Sequence, residues 1–89
     1  MKNIRKYGKA PYTIAVLHGG PGIPGEMAPV ARALSRQFGV LEPIQTAATL
    51  DTQIEELKSV LLREGHLPVT LVGFSWGAML GYLFTARNP

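Results

Sequence analysis

The residues best placed to do chemistry are Gly73, Ser75 and Gly77. They lie within Val69-Thr70-Leu71-Val72-Gly73-Phe74-Ser75-Trp76-Gly77-Ala78-Met79-Leu80. A β-prone apolar run precedes the serine and an apolar helical run follows it, so the stretch predicts a strand, a sharp turn and a helix. Gly-x-Ser-x-Gly at a strand-to-helix turn is the spacing of a nucleophile elbow. The bend pushes the serine hydroxyl out above the strand end. Positions two before and two after the serine approach each other as the chain reverses, which favours glycine at both. The N–H of Trp76 would fall at a helix start, unpaired and able to face a developing oxyanion. The competing reading is a strand-to-helix turn that needs glycines and does no chemistry.

A second glycine cluster, His18-Gly19-Gly20-Pro21-Gly22, follows the run Tyr12-Thr13-Ile14-Ala15-Val16-Leu17. An apolar run without alternation suits a strand covered on both faces, as in a parallel sheet. Glycines after it allow a close backbone approach to another group.

Between these motifs the chain alternates strand and helix. A short edge strand is expected around Asn3–Lys6. After the glycine loop a helix starts between Glu26 and Pro29, with Met27, Ala31, Leu34 and Phe38 as its apolar stripe and Gly39 as its stop. Val40–Ile44 reads as a poorer strand, with Pro43 marking an edge or an early end. After a loop over Gln45–Leu50, Thr52-x-x-Glu55 fits a capping box and Asp51 is an alternative N-cap. The helix behind it turns Ile54, Leu57, Val60 and Leu61 inward and Glu55, Glu56, Lys58 and Arg63 outward, and Gly65 ends it.

The order predicts an α/β fold: a three-layer αβα arrangement with a mostly parallel sheet, three main strands and Tyr12–Leu17 in the middle. Stepping one way to Val40–Ile44 and back to Val69–Phe74 with right-handed crossovers puts the first two helices on opposite faces. Both glycine motifs then open at the C-terminal end of the sheet, where such folds bind ligands.

Composition narrows the function classes. The 89 residues make one small domain at most, with ordinary apolar content. Net charge is +3, but Lys2, Arg5, Lys6 and Lys9 crowd the N-terminus and read as a solvated tail, so no nucleic-acid partner is expected. Absence of cysteine excludes a catalytic thiol, a disulfide and thiolate metal sites within this sequence. No cofactor and no metal are expected. No apolar segment has signal-peptide or membrane-spanning length, which makes the cytoplasm the default location.

Taken together, His18-Gly19-Gly20-Pro21-Gly22 and Gly73-Phe74-Ser75-Trp76-Gly77 resemble the α/β-hydrolase superfamily, and within it the proline-iminopeptidase-like branch. The resemblance covers nearly the whole chain, which corresponds to the N-terminal part of one such domain (residues 1–89). It implies a hydrolase with Ser75 as nucleophile, acting on an ester, amide or peptide bond through an acyl-enzyme. It implies an oxyanion hole from the N–H groups of Trp76 and Gly20, with Gly19 as the alternative donor. It also implies that His18 shapes the loop rather than acting as a base.

Where relatives of that branch carry a D-Q-R-G-like segment, this chain has Glu42-Pro43-Ile44-Gln45-Thr46. The superfamily's acid and histidine follow the serine, and residues 76–89 contain neither Asp, Glu nor His. His66 falls at the opposite end of the sheet, Asp51 reads as a helix cap, and Glu26 and Glu42 read as surface or loop acids. Without a base a serine hydroxyl is a poor nucleophile, so the isolated chain is expected to be inactive.

The segment Trp76–Arg87 is apolar nearly all round, and the strand Val69–Phe74 lacks an outer neighbour. Both features predict further protein: a complementing polypeptide, a second copy, or a larger parent of which this chain is a piece. Trp76, Tyr82 and Phe84 are read as core at helical spacing rather than as a ligand box. The alternative function is a non-catalytic hydrolase-fold remnant that associates through this open edge. A weaker variant keeps the fold and changes the reaction, to acyl transfer or a cofactor-free haloperoxidase type.

Overall fold

The computed structural model describes residues 4–19, 27–47, 49–73 and 75–88. In chain order the elements are β1 (Ile4–Tyr7), β2 (Tyr12–Leu17), α1 (Ala28–Leu34), β3 (Gly39–Pro43), α2 (Leu50–Glu64), β4 (Thr70–Gly73) and α3 (Trp76–Arg87). The sheet order is β1-β3-β2-β4. β2 runs parallel to β3 and β4, and β1 lies antiparallel on β3. The expected central strand has the expected bounds, and the predicted edge strand is present one residue later.

Both faces of β2 are covered, which is why it carries no polar alternation. Ala15 and Leu17 pack with Leu41, with Ile54, Leu57 and Leu61 of α2, and with Leu80 and Phe84 of α3. Ile14 and Val16 pack on the other face with Val40, Met27 and Ala31 of the α1 region. The result is three layers, with α1 alone on one side and α2 and α3 on the other. A register shift between Tyr12 and Ile14, where Tyr12, Thr13 and Ile14 of β2 span only Gly39 and Val40 of β3, interrupts the alternation. It sends Tyr12 to the α2 face although Ile14, two positions on, faces α1.

Several expectations need correction. The first helix ends at Leu34, and Phe38 lies outside it, 46% exposed. Gly39 does not stop that helix; it opens β3. A Cβ there would strike the Lys9 and Pro11 carbonyl oxygens, so the close passage of the turn before β2 requires glycine. β3 is an interior strand, buried throughout, with Pro43 at its end. The strand thus terminates at the proline but is not an edge.

The cap of α2 is neither Asp51 nor Thr52 but Thr49. Its hydroxyl accepts the Thr52 N–H at 3.2 Å, and the Thr52 hydroxyl accepts the Thr49 N–H at 3.2 Å. This is a reciprocal box shifted three residues upstream, with threonine replacing the usual Glu or Gln. Asp51 sits in the first turn and pairs with Arg87 at 2.7 Å. The inward stripe Ile54, Leu57, Val60 and Leu61 is buried as expected. Glu56 is not simply outward: it accepts the backbone N–H of Thr46 at 3.0 Å and the Thr46 hydroxyl, tying down the loop after β3.

Candidate active site

Two turns leave the same end of two adjacent parallel strands. Leu17 of β2 is in register with Gly73 of β4. Gly19 and Ser75 therefore each stand two residues beyond the last paired position. The helix that begins at Trp76 packs directly on this strand end. A Cβ on Gly77 would lie 2.7 Å from the Leu17 carbonyl carbon and 2.8 Å from the His18 oxygen, and closer still to the Leu17 oxygen. A Cβ on Gly73 would lie 2.5 Å from the Gly77 carbonyl carbon. Both glycines are thus sterically required, one for the bend itself and one for its seat on β2.

Ser75 holds the geometry of that bend. Its φ is 56° and ψ −119°, and among the described residues it is the non-glycine residue with positive φ. L-residues rarely occupy this region, so the surrounding contacts impose it. Its carbonyl accepts the N–H groups of Ala78 (3.0 Å) and Met79 (3.3 Å), which starts α3. Its hydroxyl does not cap the helix, and the residue is exposed.

Trp76 is half-buried and packs against the α2-side core, and its indole N–H donates to Gln53 Oε1 at 3.0 Å. Gln53 in turn donates from Nε2 to the Ala47 carbonyl at 3.0 Å, linking the bend to the loop after β3. Gln53 is a supporting residue that no motif or spacing singles out. Its place beside Ile54, on the inward stripe of α2, was the available signal.

His18 is fully buried. Its Nε2 accepts the Gln45 N–H at 3.1 Å, its Nδ1 lies 3.3 Å from the Gly19 carbonyl oxygen, and its own carbonyl accepts Gln45 Nε2 at 2.9 Å. Every polar atom of the residue beyond its N–H is thereby engaged, two of them by Gln45. His66 is exposed, and its N–H donates to the Tyr12 carbonyl at the start of β2, the far end of the sheet from Ser75. Gly20 and Glu26 lie outside the described residues, as does Phe74.

Glu42 is the largest departure from expectation. It is not a surface acid: it is 0% exposed, with Oε1 accepting the Tyr7 hydroxyl at 2.8 Å and no partner for Oε2 among the described residues. Burial, then the bond to Glu42, raises the Tyr7 phenol above its usual pKa of 10.0. Among the described residues no group of His, Asp or Glu is arranged to hold a metal ion, and no helix is long and apolar enough to cross a membrane.

No protein-family model matches the sequence, and no curated protein matches it. Among solved structures, the crystal structure of Bacillus megaterium epoxide hydrolase in complex with an inhibitor is similar to this chain, with a TM-score of 0.79 at 22% identity. The likeness covers 97% of this chain and 34% of that one. The chain has an α/β-hydrolase fold, spanning about a third of the length of the solved structure it matches.

Proposed function

We propose that this chain carries the nucleophile and oxyanion-binding half of a serine hydrolase, and that residues supplied from outside residues 1–89 complete its active site. The observation that carries this reading is Ser75 itself: an exposed serine at positive φ, fixed by the Gly73 and Gly77 contacts beside the His18–Gly19 turn. In the proposed reaction Ser75 Oγ attacks an ester, amide or peptide carbonyl. Its proton passes to a base, the carbonyl oxygen becomes an oxyanion, and the leaving group departs to give an acyl-serine that water hydrolyses. The Trp76 N–H at the helix start is the first donor to that oxyanion, and Gly20, with Gly19 as alternative, is the second.

Chemistry favours acyl substrates over epoxides for a serine at this position. Opening an epoxide with serine would leave an alkyl ether, which water does not cleave, whereas an acyl-serine turns over. The paired glycine motifs keep short peptides of the proline-iminopeptidase type among the substrates to test first.

The base must come from elsewhere. The His18 ring is enclosed and occupied at both nitrogens, and His66 stands at the wrong end of the sheet. Reaction of the chain with a fluorophosphonate, read by intact mass, tests the proposal. Slow labelling at Ser75, absent in Ser75→Ala and accelerated in a completed assembly, is expected. An assembly that turns over substrate without labelling at Ser75 would overturn it.

A second reading rests on a separate observation. β4 ends the sheet, and an apolar groove of about 530 Å³ beside it is lined by Leu61, Leu67, Val69, Leu71 and Phe84. A non-catalytic fold that binds a companion or a second copy through this edge would keep its biological activity in Ser75→Ala.

A further inference from the structure

Gln45 lies two residues beyond β3 and makes two hydrogen bonds to His18. Its backbone N–H donates to Nε2 at 3.1 Å and its side-chain NH₂ donates to the carbonyl at 2.9 Å. The first bond dictates a tautomer. A backbone N–H is only a donor, so Nε2 must hold a lone pair, and the neutral imidazole carries its proton on Nδ1, toward the Gly19 carbonyl. The second bond dictates an orientation. The His18–Gly19 peptide is planar, so a His18 carbonyl aimed at Gln45 turns the Gly19 N–H to the opposite side.

The amide of Gln45 has one arrangement. Its Oε1 is buried with no partner among the described residues, and flipping the group would set oxygen against the His18 carbonyl oxygen. A glutamine side chain with an idle buried acceptor adds little net stability, because the unmade bond offsets the made one. Its distinct contribution is directional.

From this we infer that Gln45 is a positioning residue: it clamps the His18 ring and the His18–Gly19 peptide in one fixed orientation at the strand end beside the Ser75 bend. This rests on the hydrolase reading for its purpose but not for its geometry, and the two are tested separately.

For the geometry, long-range proton–nitrogen spectra of the ¹⁵N-labelled chain report both histidines, with exposed His66 as internal reference. His18 in the Nδ1–H form is expected; a predominantly Nε2–H ring would overturn the clamp. For the purpose, Gln45→Met keeps the backbone donor, removes the side-chain donor and removes the idle acceptor. Its unfolding midpoint should match the parent. Its rate of Ser75 labelling by fluorophosphonate should fall about tenfold or more, because misplacement by about 1 Å can cost on the order of 10²-fold. Unchanged labelling in a folded Gln45→Met chain overturns the positioning role. A chain with the expected tautomer that never labels at Ser75, alone or completed, sinks the hydrolase reading and with it the clamp's catalytic purpose, while leaving its geometry standing.

Discussion

The two edges of the sheet are finished in different ways. β1 is closed by side chains. Its exposed residues are Arg5 and Lys6, Lys6 pairs with Glu64 at 2.7 Å and sits 5.8 Å above the Tyr12 ring, and Tyr7 bonds Glu42 across β3. Such charges make an edge unattractive to another strand. β4 carries Thr70, Leu71, Val72 and Gly73, with no charge, and is anchored instead by close backbone passage at Gly73 and Gly77. One edge is built as the end of a sheet. The other is an uncharged strand with no outer neighbour among the described residues, and it is the one that leads into Ser75.

The largest effect should come from breaking the backbone anchor. Gly77→Ala places a methyl against the Leu17 carbonyl, which cannot move without β2, and should cost ~3 kcal/mol or more, read by chemical denaturation. Gly81→Ala on the same helix meets only side-chain atoms, the Leu17 Cδ1 at 3.3 Å and the Leu71 Cβ and Cδ1 at 3.9 Å, and should change stability by less than about 1 kcal/mol. Equal costs would mean that the bend is not seated as described. Next comes the side-chain anchor of β1. Tyr7→Phe removes the partner of a buried carboxyl and should cost about 1–3 kcal/mol by the same measurement.

Charging the open edge is a milder change. On the proposed reading of β4 as an association edge, Thr70→Lys should weaken self-association roughly tenfold, about 1.4 kcal/mol, in sedimentation velocity, whereas Arg5→Thr should leave it equal or stronger. Association unaffected by Thr70→Lys would place the contact elsewhere.

The smallest effect is the pH dependence of the β1 ion pair. Hydrogen bonds from Lys6, then Arg63, hold Glu64 below its ordinary 4.5, and the bond to Glu64 holds Lys6 above 10.5. Glu64 therefore contributes stability above about pH 4.5 that is lost as pH falls through its lowered folded value. Lys6 contributes below 10.5 and loses its share as pH rises through its raised value. Lys6→Met should flatten both limbs slightly in denaturation midpoints measured across pH. The pair is exposed and screened, so the change is small.

The contrast between local and distant signals also explains what was legible in the sequence. Tyr12–Leu17 and Trp76–Arg87 announce themselves by composition and have the bounds expected. The α2 stripe follows from its spacing. The glycine pair around Ser75 was legible because steric need acts over two residues. Glu42 was not, because its partner Tyr7 is 35 residues away and neither residue shows in any periodicity. Thr49 was missed because a threonine at the fourth position of the box looks like a cap rather than its reciprocal. Phe38 fitted the helical stripe, yet the short α1 stops before it and the chain turns early to reach β3. At the candidate site, composition pointed to the serine and the glycines, whereas the Gln45 and Gln53 bonds exist only once the loop after β3 is folded against both turns.

Trp76 is the sole tryptophan of the chain, and its indole hangs from the first turn behind Ser75 with its N–H on Gln53. The molecule therefore carries a native optical label at the place of greatest interest. Loosening of the turn, or a neighbour arriving over it, would wet or dry that ring and shift its emission. Ultraviolet fluorescence of the unmodified protein can follow either change in real time, with no dye attached.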